Sequence, residues 1–204
     1  MRALLHLVAG SLVAAASCDR VPPEPPRAAP APEVAIDAAA PSAPTARAPT
    51  RCVRPLPATP PPTVAPAAAA RCPRDPDRAP PKVPLARVTF PGTPAPALTV
   101  EQMLSEAHQA RGLMYRTRLD DDRGMLFAWD DTRVRTFWMH DTCLPLDMLF
   151  LDRDGFVVGI VESAAPLTDD ARSVPCPAAY VLEVPAGWSR RHGVAPGSTA
   201  HIER

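Results

Sequence analysis

Aromatic side chains are almost missing from the first half of this chain of 204 residues. Phe, Trp and Tyr make up 5% of the sequence, and only one of these ten side chains lies before Pro96. The stretch up to and including Pro96 holds 23 of the 29 prolines. A segment rich in Pro and Ala without aromatics buries too little apolar surface to offset its ordering entropy. The sequence therefore predicts a disordered Pro/Ala-rich tether over residues 18–81, followed by one small domain over residues 82–204.

A long apolar run is also missing. The N-terminal segment MRALLHLVAGSLVAAASC has one Arg and an apolar run too short for a membrane-spanning helix. Such a segment is typical of a signal peptide, here residues 1–17. Because Ala15-Ala16-Ser17-Cys18 resembles the bacterial lipobox, we expect acylation of Cys18 and a membrane-anchored lipoprotein facing the periplasm or the cell exterior. The alternative is ordinary secretory cleavage near Ala14–Ala16.

The chain has no net charge, with 22 basic and 22 acidic residues, but the balance is uneven. From Ala97 onward there are 11 basic and 16 acidic residues, a net charge of −5. An acidic domain argues against nucleic acid as a partner. The expected partners are the membrane, through the lipid anchor, and an unknown envelope ligand or protein.

The usual catalytic motifs are absent. The sequence contains no GxSxG elbow, no Walker-type loop, no GxGxxG, and no CxxC or HExxH spacing. It therefore predicts no cofactor and no metal site, and it favours a non-enzymatic protein.

Short alternating segments dominate residues 82–204. Ser105 and Gly112 are suited to begin and end a short helix, although propensity alone favours one helix over 100–111. AGWSRRHG is suited to a helical turn. Turn residues such as Asp152–Gly155 separate the strand candidates. These features predict a mainly β fold, namely a single antiparallel β-sandwich or jelly-roll-like domain with one or two short helices. The predicted strands are 82–90, 97–104, 124–129, 135–140, 146–152, 156–163, 179–184 and 199–203.

Export changes the interpretation of the cysteines, because paired cysteines outside the cytoplasm form disulfides. Cys143 and Cys176 both lie in the predicted domain, so we expect them to pair. Cys52 and Cys72 lie in the predicted tether, where they either pair with each other or remain available for intermolecular bonds.

Four side chains are candidates for ligand binding. Asp147 and Glu183 interrupt apolar strands, where an unpaired carboxylate is costly. Each is either a structural partner of an arginine, for which Arg111 and Arg116 are the candidates for Asp147, or a group that binds a ligand. Trp138 and Met139 occupy consecutive strand positions and face opposite sides. Either neighbouring elements bury both side chains, or one belongs to the core and the other lines a surface groove. The ligand-binding candidates are Arg111, Trp138, Asp147 and Glu183.

Four sequence blocks carry a family resemblance: RGLMYR, GMLF, FWMHDTCLPLDMLFLDRDG and YVLEVPAGW. In this order and spacing they resemble the bacterial domain-of-unknown-function family 192, over roughly Val83 to Glu203. The resemblance implies a β-rich, jelly-roll-type sandwich that is often exported or lipid-anchored, and it implies no established activity. Two departures stand out: the family commonly has Lys-Asn where this chain has His140-Asp141, and Cys143 and Cys176 are not general family features.

Two functions remain open from the sequence. The first is a non-enzymatic module, tethered to the cell envelope, that binds a saccharide, a peptide or a protein partner. The second is a hydrolase of envelope polymers in which Asp147 and Glu183 act as a carboxylate pair.

Overall fold

The computed structural model describes residues 51–67, 70–77 and 80–204. The predicted signal peptide, the predicted acylation site Cys18 and the first part of the predicted tether lie outside these residues, and they remain predictions.

Nine short strands and two helices form the regular structure of the described residues, so the mainly β class with two short helices is confirmed. Neither helix in these ranges is long and apolar enough to cross a membrane. In chain order the elements are β1 (Leu85–Thr89), β2 (Leu98–Met103), α1 (Glu106–Arg111), β3 (Arg123–Arg133), β4 (Thr136–Phe137), β5 (Leu146–Leu151), β6 (Val157–Ala164), β7 (Arg172–Ser173), β8 (Ala178–Pro185), α2 (Trp188–Arg191) and β9 (His201–Glu203).

Helix α1 begins and ends at the predicted residues. The Ser105 hydroxyl accepts a hydrogen bond from the backbone N–H of His108 at 3.3 Å, and Gly112 ends the helix with φ +48°. The competing helix over 100–111 does not form, because the alternating apolar residues of β2 are buried in the sheet. Local periodicity outweighs helix propensity here.

Seven strands form one sheet in the order β6-β5-β8-β3-β2-β1-β9, and β4 and β7 form a separate pair. All neighbours in the large sheet are antiparallel except β2 and β3, which run parallel. Parallel neighbours need a crossover connection. The segment that contains α1 supplies it, and this places α1 beside the face on which the candidate site lies.

The two edges of the large sheet are joined at one end. Residues just before β9 bond to residues at the start of β6: the N–H of Val157 donates to Ser198 O at 2.8 Å, and the N–H of Ala200 donates to Gly155 O at 2.8 Å. Gly155 has φ +80°, and a Cβ there would lie 2.3 Å from Ala200 O. Glycine is therefore required where the hairpin meets the last segment.

Both faces of the large sheet are covered. One apolar cluster contains Val100, Leu149 and Trp188, and the other contains Met125, Met148 and Phe150. As a result, all six residues of β5 are buried, including the polar one. A carboxyl group in β5 or in the buried part of β8 is therefore removed from water, whichever face it occupies.

Residues 51–77, here called the strap, contact the domain in their described part. The N–H of Arg54 donates to Val158 O at 2.8 Å, and the N–H of Ala67 donates to Cys143 O at 2.9 Å. Arg51 also pairs with Asp152 and Asp154. Composition predicts a solvated tether for this range, whereas its described part contacts the domain. The segment buries little apolar surface of its own, and crosslinks to the domain hold it in place.

Two disulfides fasten the strap, and they correct the predicted Cys143–Cys176 pairing. Cys52 is bonded to Cys176, and Cys72 is bonded to Cys143. The prediction failed because it treated the tether cysteines as distant from the domain. The bond between Cys52 and Cys176 spans 124 residues of sequence. Closing so long a loop removes more conformational entropy from the unfolded chain than the predicted Cys143–Cys176 bond would, because that bond closes a much shorter loop.

We expect peptide mapping of the oxidised protein to find these two bonds. Trypsin cleaves after arginine but not at the Arg54-Pro55 bond, so it places the four cysteines on separate peptides, namely 52–71, 72–74, 136–153 and 173–190. Mass spectrometry without reduction should detect 52–71 joined to 173–190, and 72–74 joined to 136–153. A crosslink between 136–153 and 173–190 would contradict the structure.

Candidate functional site

A cleft of about 240 Å³ lies between α1 and the sheet face that carries Glu183. We call it the Glu183 cleft. It is lined by the end of α1 and the turn after it, by aromatic residues of β3 and β4, and by Thr142 and Glu183. The strand register explains the position of Glu183: it lies opposite Met125 on β3 and Met148 on β5, on the face that β4 and the α1 turn cover.

The Glu183 side chain is buried without a partner. The residue is 4% exposed, and its carboxyl group makes no hydrogen bond to any of the described residues. Burial raises the pKa of this carboxyl group to about 8, because the charged form loses its hydration. At neutral pH, Glu183 is therefore mostly a neutral acid, which can donate one hydrogen bond and accept others.

Arg111 is the last residue of α1 and lines the same cleft. Its side chain is 15% exposed, and its guanidinium lies 5.3 Å from the ring centre of Tyr115. It donates hydrogen bonds to Asp75 at 2.5 Å and to Asp77 at 2.6 Å, both in the strap. The predicted pairing of Arg111 or Arg116 with Asp147 is therefore wrong, and Arg116 instead binds Glu101 at 2.6 and 2.7 Å.

Trp138 stands at the rim of the cleft. It is 53% exposed and stacks on His140 with 5.2 Å between ring centres. Its neighbour Met139 is fully buried, which confirms that one of these two residues belongs to the core. Below the rim, Phe137 packs edge-on against Phe127 and Trp129. The cleft thus combines an aromatic wall with one guanidinium and one neutral carboxyl group.

Asp147 does not belong to this site. Its carboxyl group is completely buried and accepts hydrogen bonds from the backbone N–H groups of Ser163, Gly187 and Ser189, at 2.9, 2.9 and 3.0 Å. It joins β5 to a strained residue of β6, since Ser163 has φ +50°, and to the start of α2. The role of Asp147 is structural, and its partners are backbone groups that no residue pattern could indicate.

Asp147 and Glu183 also lie on opposite faces of the sheet. In the register of β5 and β8, Asp147 pairs with Val184, while Glu183 pairs with Met148. Two carboxyl groups separated by a sheet cannot act on one glycosidic bond. The carboxylate pair of the hydrolase hypothesis therefore does not exist, whereas Arg111, Trp138 and Glu183 do meet in one cleft.

Comparison with known protein families decides the relationship. The family model described as DUF192, Uncharacterized ACR, matches residues 87–202, which is more than half of the chain. The chain belongs to the DUF192 family. A comparison with curated proteins finds no match.

Two solved structures are similar to this DUF192 domain. One is a protein of Sinorhizobium meliloti 1021 described as a candidate transcription regulator, with 39% identity and a TM-score of 0.54, covering 58% of this chain and 92% of that one. The other is a protein of unknown function from Novosphingobium aromaticivorans DSM 12444, with 33% identity and a TM-score of 0.52, covering 57% of this chain and 83% of that one.

Two of the DUF192 sequence blocks meet at the edge of the cleft. Tyr115, from RGLMYR, and Asp141, from FWMHDT, both have positive φ, at +66° and +51°. The N–H of Tyr115 donates to Asp141 O at 2.8 Å, and its hydroxyl donates to Asp141 Oδ2 at 3.0 Å. This hydrogen bond raises the pKa of the Tyr115 hydroxyl. Sequence reasoning missed the pair, because a tyrosine does not signal positive φ and an aspartate signals it only weakly.

His140 carries a further polar contact at the rim. Its Nδ1 lies 2.7 Å from Asp169, and the hydrogen bond between them raises the pKa of His140, with help from the charge of Asp141. In the described ranges, no group of three or more His, Cys, Asp or Glu side chains could hold a metal ion.

Proposed function

We propose that this DUF192 domain is a non-enzymatic module of the cell envelope that binds a polar ligand, a saccharide or a peptide, in the Glu183 cleft. The observation that carries the proposal is the Glu183 carboxyl group, which is buried, lines a cavity and has no hydrogen-bonding partner among the described residues. Buried polar groups are nearly always paired, so an unpaired one in a cavity is suited to receive a group from outside.

The other walls of the cleft suit the same class of ligand. An exposed aromatic face such as that of Trp138 packs against the C–H groups of a sugar ring or against an apolar side chain. The neutral carboxyl group can both donate to a carbonyl oxygen and accept from a hydroxyl or amide group. At about 240 Å³, the cleft lies below the size of sites for drug-like molecules, about 300–1,000 Å³. One sugar ring or one or two amino-acid residues would fill it.

The proposed location follows from the crosslinks. Two disulfides indicate an oxidising, exported location. The lipobox-like segment before Cys18 supports a lipid anchor in the membrane, with the remaining tether as a spacer to the domain. An unknown protein of the envelope is the alternative partner, and the acidic balance of the domain argues against nucleic acid.

The proposal is tested by a thermal-shift titration of the oxidised protein at pH 7. The probes are N-acetylglucosamine, a disaccharide-peptide fragment of the cell wall, and tripeptides with acidic, neutral or basic side chains. We expect one probe class to raise the Tm in a dose-dependent way, by mass action. Glu183→Leu should abolish the rise, because leucine fills the site without offering a hydrogen bond.

The matched control is Glu203→Gln, which changes a carboxyl group on the last strand, away from the cleft. This variant should respond to the probe as the native protein does. A panel without any shift, or a shift that survives in Glu183→Leu, would rule out the Glu183 cleft as the binding site.

A further inference from the structure

Two aspartates of the strap, Asp75 and Asp77, form ion pairs with Arg111, the positively charged residue of the Glu183 cleft. Arg111 holds Asp75 and Asp77 through separate guanidinium nitrogens, at 2.5 and 2.6 Å. Asp75 is half-buried by this contact, whereas Asp77 remains largely exposed. The hydrogen bond from Arg111 lowers the pKa of the Asp75 carboxyl group, so both partners are charged at neutral pH. One guanidinium thus carries two negative groups of the same chain.

A local turn and a nearby disulfide hold these two carboxylates close to Arg111. The N–H of Asp77 donates to Asp75 Oδ1 at 2.9 Å, which folds the Asp-Pro-Asp sequence into a turn. Three residues before Asp75, Cys72 is bonded to Cys143, which directly follows Thr142 in the lining of the cleft. A short covalent connection of this kind gives the acidic turn a high effective concentration at Arg111.

We infer that the acidic turn, residues 73–77, occupies in cis a carboxylate subsite of the Glu183 cleft, and that the external ligand is a peptide that bears a carboxylate. This inference rests on the proposed function and narrows its ligand class. The guanidinium of Arg111 supplies the charge-assisted bond, and the buried Glu183 carboxyl group bonds a neutral amide or hydroxyl beside it. The strap then acts as a built-in competitor that an external peptide must displace.

A saccharide without an acid group fits this subsite less well. The guanidinium of an arginine matches the geometry of a carboxylate. A neutral hydroxyl that displaced a strap carboxylate from Arg111 would remove a charged partner without supplying a new negative charge, which is unfavourable. The domain from Ala97 onward carries 16 acidic and 11 basic residues, so its overall field repels anions. Recognition of a carboxylate therefore depends on the local contact with Arg111.

The inference is tested with the pentapeptide acetyl-Pro-Arg-Asp-Pro-Asp-amide, which copies residues 73–77. Its affinity is measured by calorimetry at pH 7 and low salt for the oxidised native protein and for the double variant Asp75→Asn/Asp77→Asn. We expect the double variant to bind the peptide at least about 10-fold more tightly, because the competing carboxylates are gone. Adding Arg111→Gln should return the affinity to the native level or below.

Two controls keep the result specific. The peptide with both Asp residues replaced by Asn should not bind the double variant, and a non-reducing peptide map should show that Cys72–Cys143 is intact. Equal affinities in the native protein and the double variant would overturn the inference, as would a gain in affinity over the native protein that survives Arg111→Gln in the double variant.

The outcome also separates this inference from the proposed function. If a neutral saccharide binds in a Glu183-dependent way and its affinity is the same in the double variant, the binding function stands and the carboxylate subsite falls. If the pentapeptide binds through Arg111 but Glu183→Leu has no effect on it, the carboxylate subsite stands and the role proposed for Glu183 falls.

Discussion

At pH 9, Glu183→Gln should be more stable than the native protein, by an amount on the order of 4 kcal/mol. Burial raises the pKa of the Glu183 carboxyl group from 4.5 to about 8 in the folded state. Between these two pH values the folded protein binds a proton that the unfolded chain has released. The native protein therefore loses stability as the pH rises from about 5 to about 8, at up to about 1.4 kcal/mol per pH unit. Glutamine has no proton to lose.

The measurement is urea denaturation of the oxidised proteins at pH 5, 6, 7, 8 and 9. The informative quantity is the difference in unfolding free energy between the variant and the native protein, because other groups titrate equally in both. This difference should grow in favour of the variant up to about pH 8 and then level off. Glu203→Gln, at an exposed position, should follow the native curve. A difference that stays constant with pH would mean that Glu183 ionises normally.

Asp147→Asn should destabilise the protein by about 1–3 kcal/mol at pH 7. The carboxyl group accepts three backbone hydrogen bonds in a position without solvent access. An asparagine offers one carbonyl oxygen and directs an NH₂ group at N–H groups that need an acceptor. Each buried donor left unpaired costs about 1–3 kcal/mol.

Thermal and urea denaturation of the oxidised protein measure the loss. The matched control is Asp170→Asn, in which the same change affects a carboxyl group that is 74% exposed. Its effect should stay within about 0.5 kcal/mol, as for most surface substitutions. If Asp147→Asn were as stable as this control, the three hydrogen bonds would contribute little and the structural role of Asp147 would be refuted.

Most of the sheet could be predicted from local patterns. Alternation and turn residues located eight of the nine strands of the described residues, although β4 is only two residues long, and a good capping residue located α1. The two-residue β7 was missed, because so short a strand has no period. The parallel pairing of β2 and β3 was also missed. Alternation indicates which face of the sheet a residue occupies, but it does not indicate the direction of the neighbouring strand.

The sequence indicated which residue types belong to the candidate site, but it did not indicate which of these residues lie together in one cleft. Asp147 and Glu183 posed the same question in the sequence, a carboxyl group within an apolar strand, yet one is held by three N–H groups and the other has no partner among the described residues. The difference comes from the register of β5 and β8 and from loops that cover each face. Both are long-range properties. The contacts of Arg111 depend on the strap, which composition alone described as a tether.

The connectivity of the two disulfides matters for the order in which the cysteines are oxidised. In a chain exported N-terminus first, Cys52 and Cys72 would emerge before Cys143 and Cys176, and oxidation in order of appearance would join Cys52 to Cys72. The two bonds of the structure are instead nested, with the shorter loop inside the longer one. Thiol–disulfide exchange must then convert the early bond into the native pair. Catalysis of this exchange by a disulfide isomerase would then raise the yield of correctly crosslinked protein.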